Sequence, residues 1–87
     1  MLELSRDQVF AHGTRVLNAA DLGSKIRECR KAQGLTQEDV AGMIGCSPRL
    51  IGEMEHGRGS VGFERLVGYA LLMGVDLVAF DRNGDLL

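Results

Sequence analysis

Two histidines and two cysteines are among the side chains in this 87-residue sequence that could bind a metal or act in catalysis. A zinc site needs ligands at short repeated spacings, and a catalytic nucleophile needs a base beside it. Cys29 and Cys46 stand 17 residues apart, and neither His12 nor His56 lies in a ligand pattern. We therefore expect no metal, no cofactor and no enzymatic activity, and we interpret both cysteines as reduced, buried, small apolar side chains.

A second set of polar side chains, between Gln37 and Arg58, is suited to hydrogen bonding rather than catalysis. Arg49 carries a guanidinium that can form two parallel bonds to O6 and N7 of guanine. Ser47 and Gln37 stand at predicted helix starts, where backbone N–H groups favour phosphate. The candidate DNA-binding set comprises Gln37, Ser47, Pro48, Arg49, Gly52, Glu53, His56, Arg58 and Arg27.

The segment from Leu35 to Gly57 predicts the two helices that position most of these side chains. Thr36 is a good N-cap for the first helix, and Asp39 three residues later forms an approximate capping box with it. Gly45 allows a turn with positive φ. The apolar face of this first helix is predicted at Val40, Ala41 and Ile44.

The second predicted helix begins after Ser47, with Pro48 at the first helical position. Leu50, Ile51 and Met54 form one face, and the opposite face consists of Arg49, Gly52, Glu53 and His56. Two short helices joined by a glycine turn match a helix-turn-helix, whose second helix enters the DNA major groove. An αα-hairpin in a helical bundle is the alternative on these residues alone.

Further helices are predicted on both sides of this pair. One runs from Ala19 to Gln33 after the N-cap Asn18, with Leu22, Ile26 and Cys29 toward the core. Another runs from Val61 to Met73 after the N-cap Ser60, with an apolar stripe of Phe63, Leu66, Val67, Ala70 and Leu71 that belongs to the core or to a dimer interface. Residues 1–17 form an N-terminal arm in which Ser5 caps a short helix through Phe10; the sequence leaves open whether the arm is ordered.

The last segment predicts a β-strand. Residues 75–82 are rich in β-forming side chains and lie between Gly74 and Asn83-Gly84. A single strand needs a partner for its backbone groups, and the same strand of a second copy can supply one around a two-fold axis. The predicted dimerisation residues are Leu77, Val78, Ala79 and Phe80. The fold prediction is an all-α helix-turn-helix domain of four to five helices over residues 18–74, with a C-terminal β-strand that pairs across a two-fold dimer in residues 75–87.

Composition narrows the function classes. The chain has room for one domain, and no apolar run approaches the roughly 20 residues of a membrane-spanning helix. The first ten residues carry acids and lack the apolar core of a signal peptide, so a cytoplasmic location is expected.

The net charge is −2, yet residues 24–58 hold six basic and five acidic residues, a net charge of +1. We expect modest, strongly salt-dependent DNA affinity.

The stretch GLTQEDVAGMIGCSPRLIGEMEHG closely resembles the XRE/Cro-type helix-turn-helix family, and the resemblance extends from about Leu22 to Leu72. The residues that carry it are Leu35-Thr36-Gln37, Ala41, Ile44-Gly45, Ser47, Ile51, Glu55 and Gly57. It implies a dimer that reads operator DNA, with Arg27 and Arg30 as candidates for contact with the phosphate backbone.

The segments NAADLGSKIRECR and GVDLVAF more narrowly resemble the HipB-like antitoxins. That resemblance implies an intermolecular sheet, repression of the protein's own operon, and neutralisation of a HipA-type Ser/Thr kinase toxin. The sequence departs from the subgroup at Pro48, Leu50 and Gly52, which leave few polar groups on the second helix, and it lacks a long tail after the strand.

Three functions are compatible with these residues and resemblances. The first is an antitoxin that also represses its own operon. The second is a free-standing XRE-family repressor without a toxin. The third is a helical domain that binds only protein. The acidic side chain of Glu53 on the exposed face supports this alternative. An enzyme is disfavoured because the sequence has no catalytic triad, phosphate-binding loop or metal cluster.

Overall fold

The computed structural model describes residues 5–58, 61–79 and 81 of the chain. This part contains five α-helices: α1 (Arg6–His12), α2 (Ala19–Ala32), α3 (Gln37–Ile44), α4 (Pro48–His56) and α5 (Phe63–Leu72). The helix-turn-helix pair predicted from the sequence is α3 and α4. None of the helices in the described part is both long enough and apolar enough to cross a bilayer.

Local capping chemistry sets the boundaries of the middle three helices. Asn18 Oδ1 accepts a hydrogen bond from the Asp21 N–H at the start of α2, and Ser47 Oγ accepts one from Leu50 N–H at the start of α4. Thr36 and Asp39 form the predicted capping box of α3, with bonds of 3.0 and 2.8 Å. Gly45 adopts φ +84° between α3 and α4, as the turn requires. The predicted N-caps of these helices are therefore confirmed.

Helix α4 packs against both α2 and α3, and α5 packs against α2. The α2–α4 contact is close at Gly23, because a Cβ at that position would lie within 3.0 Å of the carbonyl oxygens of Met54 and Glu55. The core consists of Leu22, Ile26, Val40, Ala41, Ile51, Met54, Leu66, Tyr69, Ala70 and Met73. Helix α4 contributes Ile51 and Met54 to this core.

Several sequence expectations need correction. Ile44, predicted to face the core, is the last residue of α3 and is 37% exposed. Helix α5 begins at Phe63 with Gly62 as its N-cap, two residues later than predicted, and Ser60 lies outside the described residues. Phe63 and Leu71, predicted to belong to the core or to a dimer interface, are exposed on α5, which excludes them from the core of the single chain. Cys29 and Cys46 are free but only half-buried.

The described residues toward each end of the chain include several exposed apolar side chains. Ser5 and Gln8 form a capping box at the start of α1, which confirms the short helix predicted in the arm. Phe10 on α1 and Leu17 after it are exposed. Residues 75–79 contain no strand within this single chain, so the predicted β-strand is absent from the described part of the C-terminus. Phe80, the last of the predicted dimerisation residues, lies outside the described residues.

Candidate nucleic-acid interface

The solvent-facing side of α4 is a shallow polar groove, which we call the α4 groove. Its lining residues are Arg49, Gly52, Glu53, His56 and Arg58. The first four recur at spacings of three and four residues along α4, and Arg58 follows just after the helix ends at Gly57. Five of the nine predicted DNA-binding residues therefore share one surface. The buried face of the same helix carries Ile51 and Met54, as the sequence predicted.

Arg49 and Glu53 form an ion pair across one turn of α4. Arg49 Nε lies 3.3 Å from Glu53 Oε1, and the arginine side chain is 88% exposed. The closest approach of the two charged groups is at the Nε edge of the guanidinium. Within the part of the chain that the structure describes, no protein group binds the Nη atoms of Arg49, so the end of the fork points into solvent.

His56 is anchored one turn further along the helix. Its Nδ1 lies 2.8 Å from the carbonyl oxygen of Gly52. A carbonyl can only accept, so the ring carries a proton on Nδ1 and is held by that bond. This leaves Nε2 as the ring nitrogen available to a ligand in the α4 groove.

The predicted phosphate-binding residues lie at the helix starts. Ser47 Oγ accepts the Leu50 N–H, and its own hydroxyl proton remains available for donation. Gln37 begins α3, and its amide lies 3.6 Å from the point where a Cβ on Gly52 would stand. Gln37 and Pro48 line a second groove beside the first, together with Arg30, Leu35, Thr36 and Glu38. The remaining predicted residue, Arg27, is half-exposed on α2, with its Nε 3.9 Å from Glu55 Oε1.

A buried polar cluster lies directly beneath the α4 groove, centred on Glu55. Its carboxylate is fully buried and receives hydrogen bonds from Arg30 Nε at 2.6 Å, Arg30 Nη2 at 3.1 Å and Gln37 Nε2 at 3.2 Å. Tyr69 Oη on α5 donates a further bond. Arg30 also donates to the carbonyl of Leu35 at 2.7 Å. One carboxylate on α4 thus connects α2, α3 and α5.

This cluster corrects the interpretation of Arg30. The family resemblance made Arg30 a candidate for contact with the phosphate backbone. In the structure it is buried and directed inward to Glu55, so it is unavailable to DNA. A buried guanidinium needs a paired anion, and Glu55 supplies it with two-point geometry.

The ionisation of the cluster follows from its contacts. Burial disfavours the charged form of Glu55, but the hydrogen bonds from Arg30, Tyr69 and Gln37 outweigh it and hold the pKa of Glu55 below its ordinary value. Burial and the bond to Glu55 raise the pKa of Tyr69 far above its ordinary 10.0. The hydrogen bond to Glu55 raises the pKa of Arg30, against the opposing effect of burial. The cluster therefore holds a carboxylate, a guanidinium and a neutral phenol at neutral pH.

Sequence reasoning missed Glu55 and Tyr69 as elements of the site. A signal was present, since Glu55 follows Ile51 by four residues and so occupies the apolar face of α4. A charged residue on the buried face of a helix requires a buried partner of opposite charge. The same spacing points to Arg30 as that partner, since it follows Ile26 by four residues on the core face of α2.

Comparison with known proteins agrees with this geometry. Residues 26–80 match a family model described as helix-turn-helix. The chain is also similar to a protein of Sinorhizobium fredii (strain NBRC 101917 / NGR234) named as an uncharacterized HTH-type transcriptional regulator, y4mF. The two are 30% identical over 67 residues, which cover 75% of this chain and 88% of that relative.

Proposed function

This chain belongs to the XRE-type helix-turn-helix family, and on that premise we propose that it is a transcriptional regulator that binds operator DNA with the exposed face of α4. The observation that carries the proposal is the arrangement of α4. Its outer face is a polar groove with an unoccupied guanidinium end, and its inner face is tied to three other helices through Glu55. A recognition helix needs both a readable surface and a fixed orientation.

In this proposal the first turn of α4 enters the major groove. Arg49 makes the main base contact by forking its Nη atoms onto O6 and N7 of guanine. His56, Glu53 and Gly52 follow on the same face, where Gly52 lets base edges approach the backbone. Ser47, Pro48 and Gln37 lie at the edge of the groove, near the helix starts that suit phosphate. Arg58 and Arg27 supply positive charge on either side.

The proposal is tested by measuring the affinity of Arg49→Ala for DNA. A duplex selected by the wild-type protein from a random-sequence pool serves as the operator, and a scrambled duplex serves as its control. Loss of a forked base contact costs about 1–3 kcal/mol on the operator and relaxes specificity at one position in each half-site. Arg65→Ala, which removes an exposed arginine on α5 instead, is the matched control. A wild-type protein that selects no sequence would refute the function.

We also propose that the regulator acts as a two-fold dimer. Support comes from apolar side chains left exposed on one chain, which are Phe63, Leu71 and Leu72 on α5 and Leu77 and Val78 after it. Covering them with a second copy would remove apolar surface from water. The predicted strand would form only then, since its backbone partners lie on the other chain. Two linked recognition helices would read two half-sites.

The antitoxin function implied by the narrower resemblance remains a second proposal. The name of the Sinorhizobium fredii relative refers to transcriptional regulation and to no toxin. A free-standing repressor therefore accounts for the comparisons without a further partner. The test is co-expression with an adjacent reading frame that encodes a HipA-type kinase. Co-purification and relief of toxicity would establish the antitoxin, and a harmless neighbour without a stable complex would leave the free-standing repressor.

A further inference from the structure

The ion pair between Arg49 and Glu53 is arranged in a way that does little for helix stability. Arg49 lies near the N-terminus of α4 and Glu53 toward its C-terminus, at an i, i+4 spacing. The helix dipole favours the opposite placement, with acids near the start and bases near the end. The order Arg then Glu is also the weaker orientation for such a pair. Because Arg49 is 88% exposed, solvent screens the attraction further.

The geometry of the pair nevertheless constrains how Arg49 can meet DNA. Glu53 Oε1 takes the Nε edge of the guanidinium at 3.3 Å and leaves the Nη end free. That free end is a planar fork, which matches the O6 and N7 acceptors of guanine. A phosphate at the same place would bring its negative charge close to the Glu53 carboxylate, and like charges in contact are strongly disfavoured.

We infer that Glu53 is a positioning residue that directs Arg49 to a guanine edge instead of to the phosphate backbone. It acts in two ways, by holding the Nε edge of Arg49 and by repelling phosphate from the α4 groove. Glu53 thus lowers the affinity for DNA of random sequence more than it lowers the affinity for the operator. The inference rests on the proposed function, since it concerns the same surface and the same ligand.

The position of Glu53 within the α4 groove is consistent with this role. Glu53 is half-buried within the α4 groove, beside the candidate base-reading residue, and not on a distant solvated face. Its partner Arg49 and the following Arg58 are the arginines that line the groove in the described part of the chain. Phosphate contacts made by such bases carry no sequence information. An acid in this position therefore sacrifices affinity for specificity, which is the usual result of a repulsive group in a recognition surface.

The test compares Glu53→Gln with wild type on the selected operator duplex and on the scrambled duplex, at several salt concentrations. Glutamine keeps the size of the side chain and removes its charge. Glu53→Gln should bind scrambled DNA roughly tenfold more tightly, with a smaller gain on the operator, so that the specificity ratio falls. On scrambled DNA the slope of log affinity against log salt should steepen by about one, because Arg49 now neutralises a phosphate.

Two further variants separate positioning from a general charge effect. Glu28→Gln removes the same charge from an exposed side chain on α2, where Glu28 faces Lys25, and it should leave the specificity ratio unchanged. In an Arg49→Ala background, Glu53→Gln should change the ratio less than it does in the wild-type background, since only the repulsion of phosphate remains. The inference is overturned if Glu53→Gln retains the wild-type ratio, or if Glu28→Gln lowers the ratio equally. Failure of the wild-type protein to distinguish the two duplexes would instead refute the proposed function itself.

Discussion

Arg30 and Glu55 are separated by 25 residues in the sequence, yet Arg30 Nε lies 2.6 Å from Glu55 Oε2 in the core. The side chains are 7% and 0% exposed, so solvent does little to screen the pair. Removing one partner would leave the other charged and buried without compensation. The pair therefore links α2 to α4. Replacing both residues should destabilise the fold less than replacing only one of them.

The first prediction concerns this ion pair. Arg30→Met should lower the free energy of unfolding by roughly 3–5 kcal/mol, because the Glu55 carboxylate loses its main counter-charge. Arg27→Met is the matched control, since Arg27 lies 3.9 Å from the same carboxylate but its side chain is 48% exposed. It should cost less than about 1 kcal/mol. Urea denaturation followed by circular dichroism measures both, and equal costs would contradict the assignment.

The second prediction is a stability maximum bounded by Glu55 and Tyr69. The pKa of Glu55 is lowered in the folded state, so its contribution is present above the ordinary value of 4.5 and is lost as pH falls through the folded value. The pKa of Tyr69 is raised, so its contribution is present below 10.0 and is lost as pH rises above that value. Urea midpoints measured across pH should fall on both sides. Tyr69→Phe should flatten the alkaline decline, and an unchanged alkaline decline in this variant would contradict the prediction.

The third prediction separates stability from DNA binding at Gly52. A Cβ there would meet only the Gln37 amide, at 3.6 and 3.9 Å, which is ordinary van der Waals contact. Gly52→Ala should therefore stabilise the free protein by about 0.5–1 kcal/mol through helix propensity. The same methyl group should weaken operator binding, because it fills the α4 groove.

Gly42→Ala is the control for this experiment. Gly42 lies within α3, and a Cβ there would have no atom within 4 Å. It should give a similar gain in thermal stability with unchanged DNA affinity. If both variants bind the operator as wild type does, base edges do not approach α4 at Gly52.

The fourth prediction concerns the C-terminal segment. Val75 N–H donates to the Ala70 carbonyl at 2.8 Å, and its side chain packs on the core, so a truncation should begin at Asp76 to leave the end of α5 intact. Removing Asp76 onward should give monomers in sedimentation equilibrium, and weaker operator binding because two half-sites are no longer linked. A truncated protein that stays dimeric would mean that α5 makes the interface, and Leu71→Glu would then dissociate it.

The parts of the fold that were predictable are those encoded locally. The caps at Asn18, Thr36 and Ser47 use atoms within three residues of one another, so their sequence patterns were sufficient. The polar face of α4 was likewise predictable, because its members recur at helical spacing around the positions that bury Ile51 and Met54.

The rest depended on contacts distant in sequence. The spacing of Arg30 from Leu22 and Ile26 places it on the core face of α2, but only the assembled fold shows that it meets Glu55, 25 residues away. Ile44 has the spacing of a core residue, but it is the last residue of α3 and is exposed there. The start of α5 was predicted two residues too early. Val61 and Gly62 precede the helix, and the sequence pattern did not identify Gly62 as its N-cap.

The close approach at Gly23 has a consequence for how such a protein can change its target. Helices α2 and α4 approach each other there through backbone atoms, so this contact does not involve the side chains on the outer face of α4. Positions 49, 52, 53 and 56 can thus be substituted while the angle at which the helix is presented stays the same. If the outer face of α4 reads DNA as we propose, a few substitutions on that face would change the preferred operator while the fold stays the same.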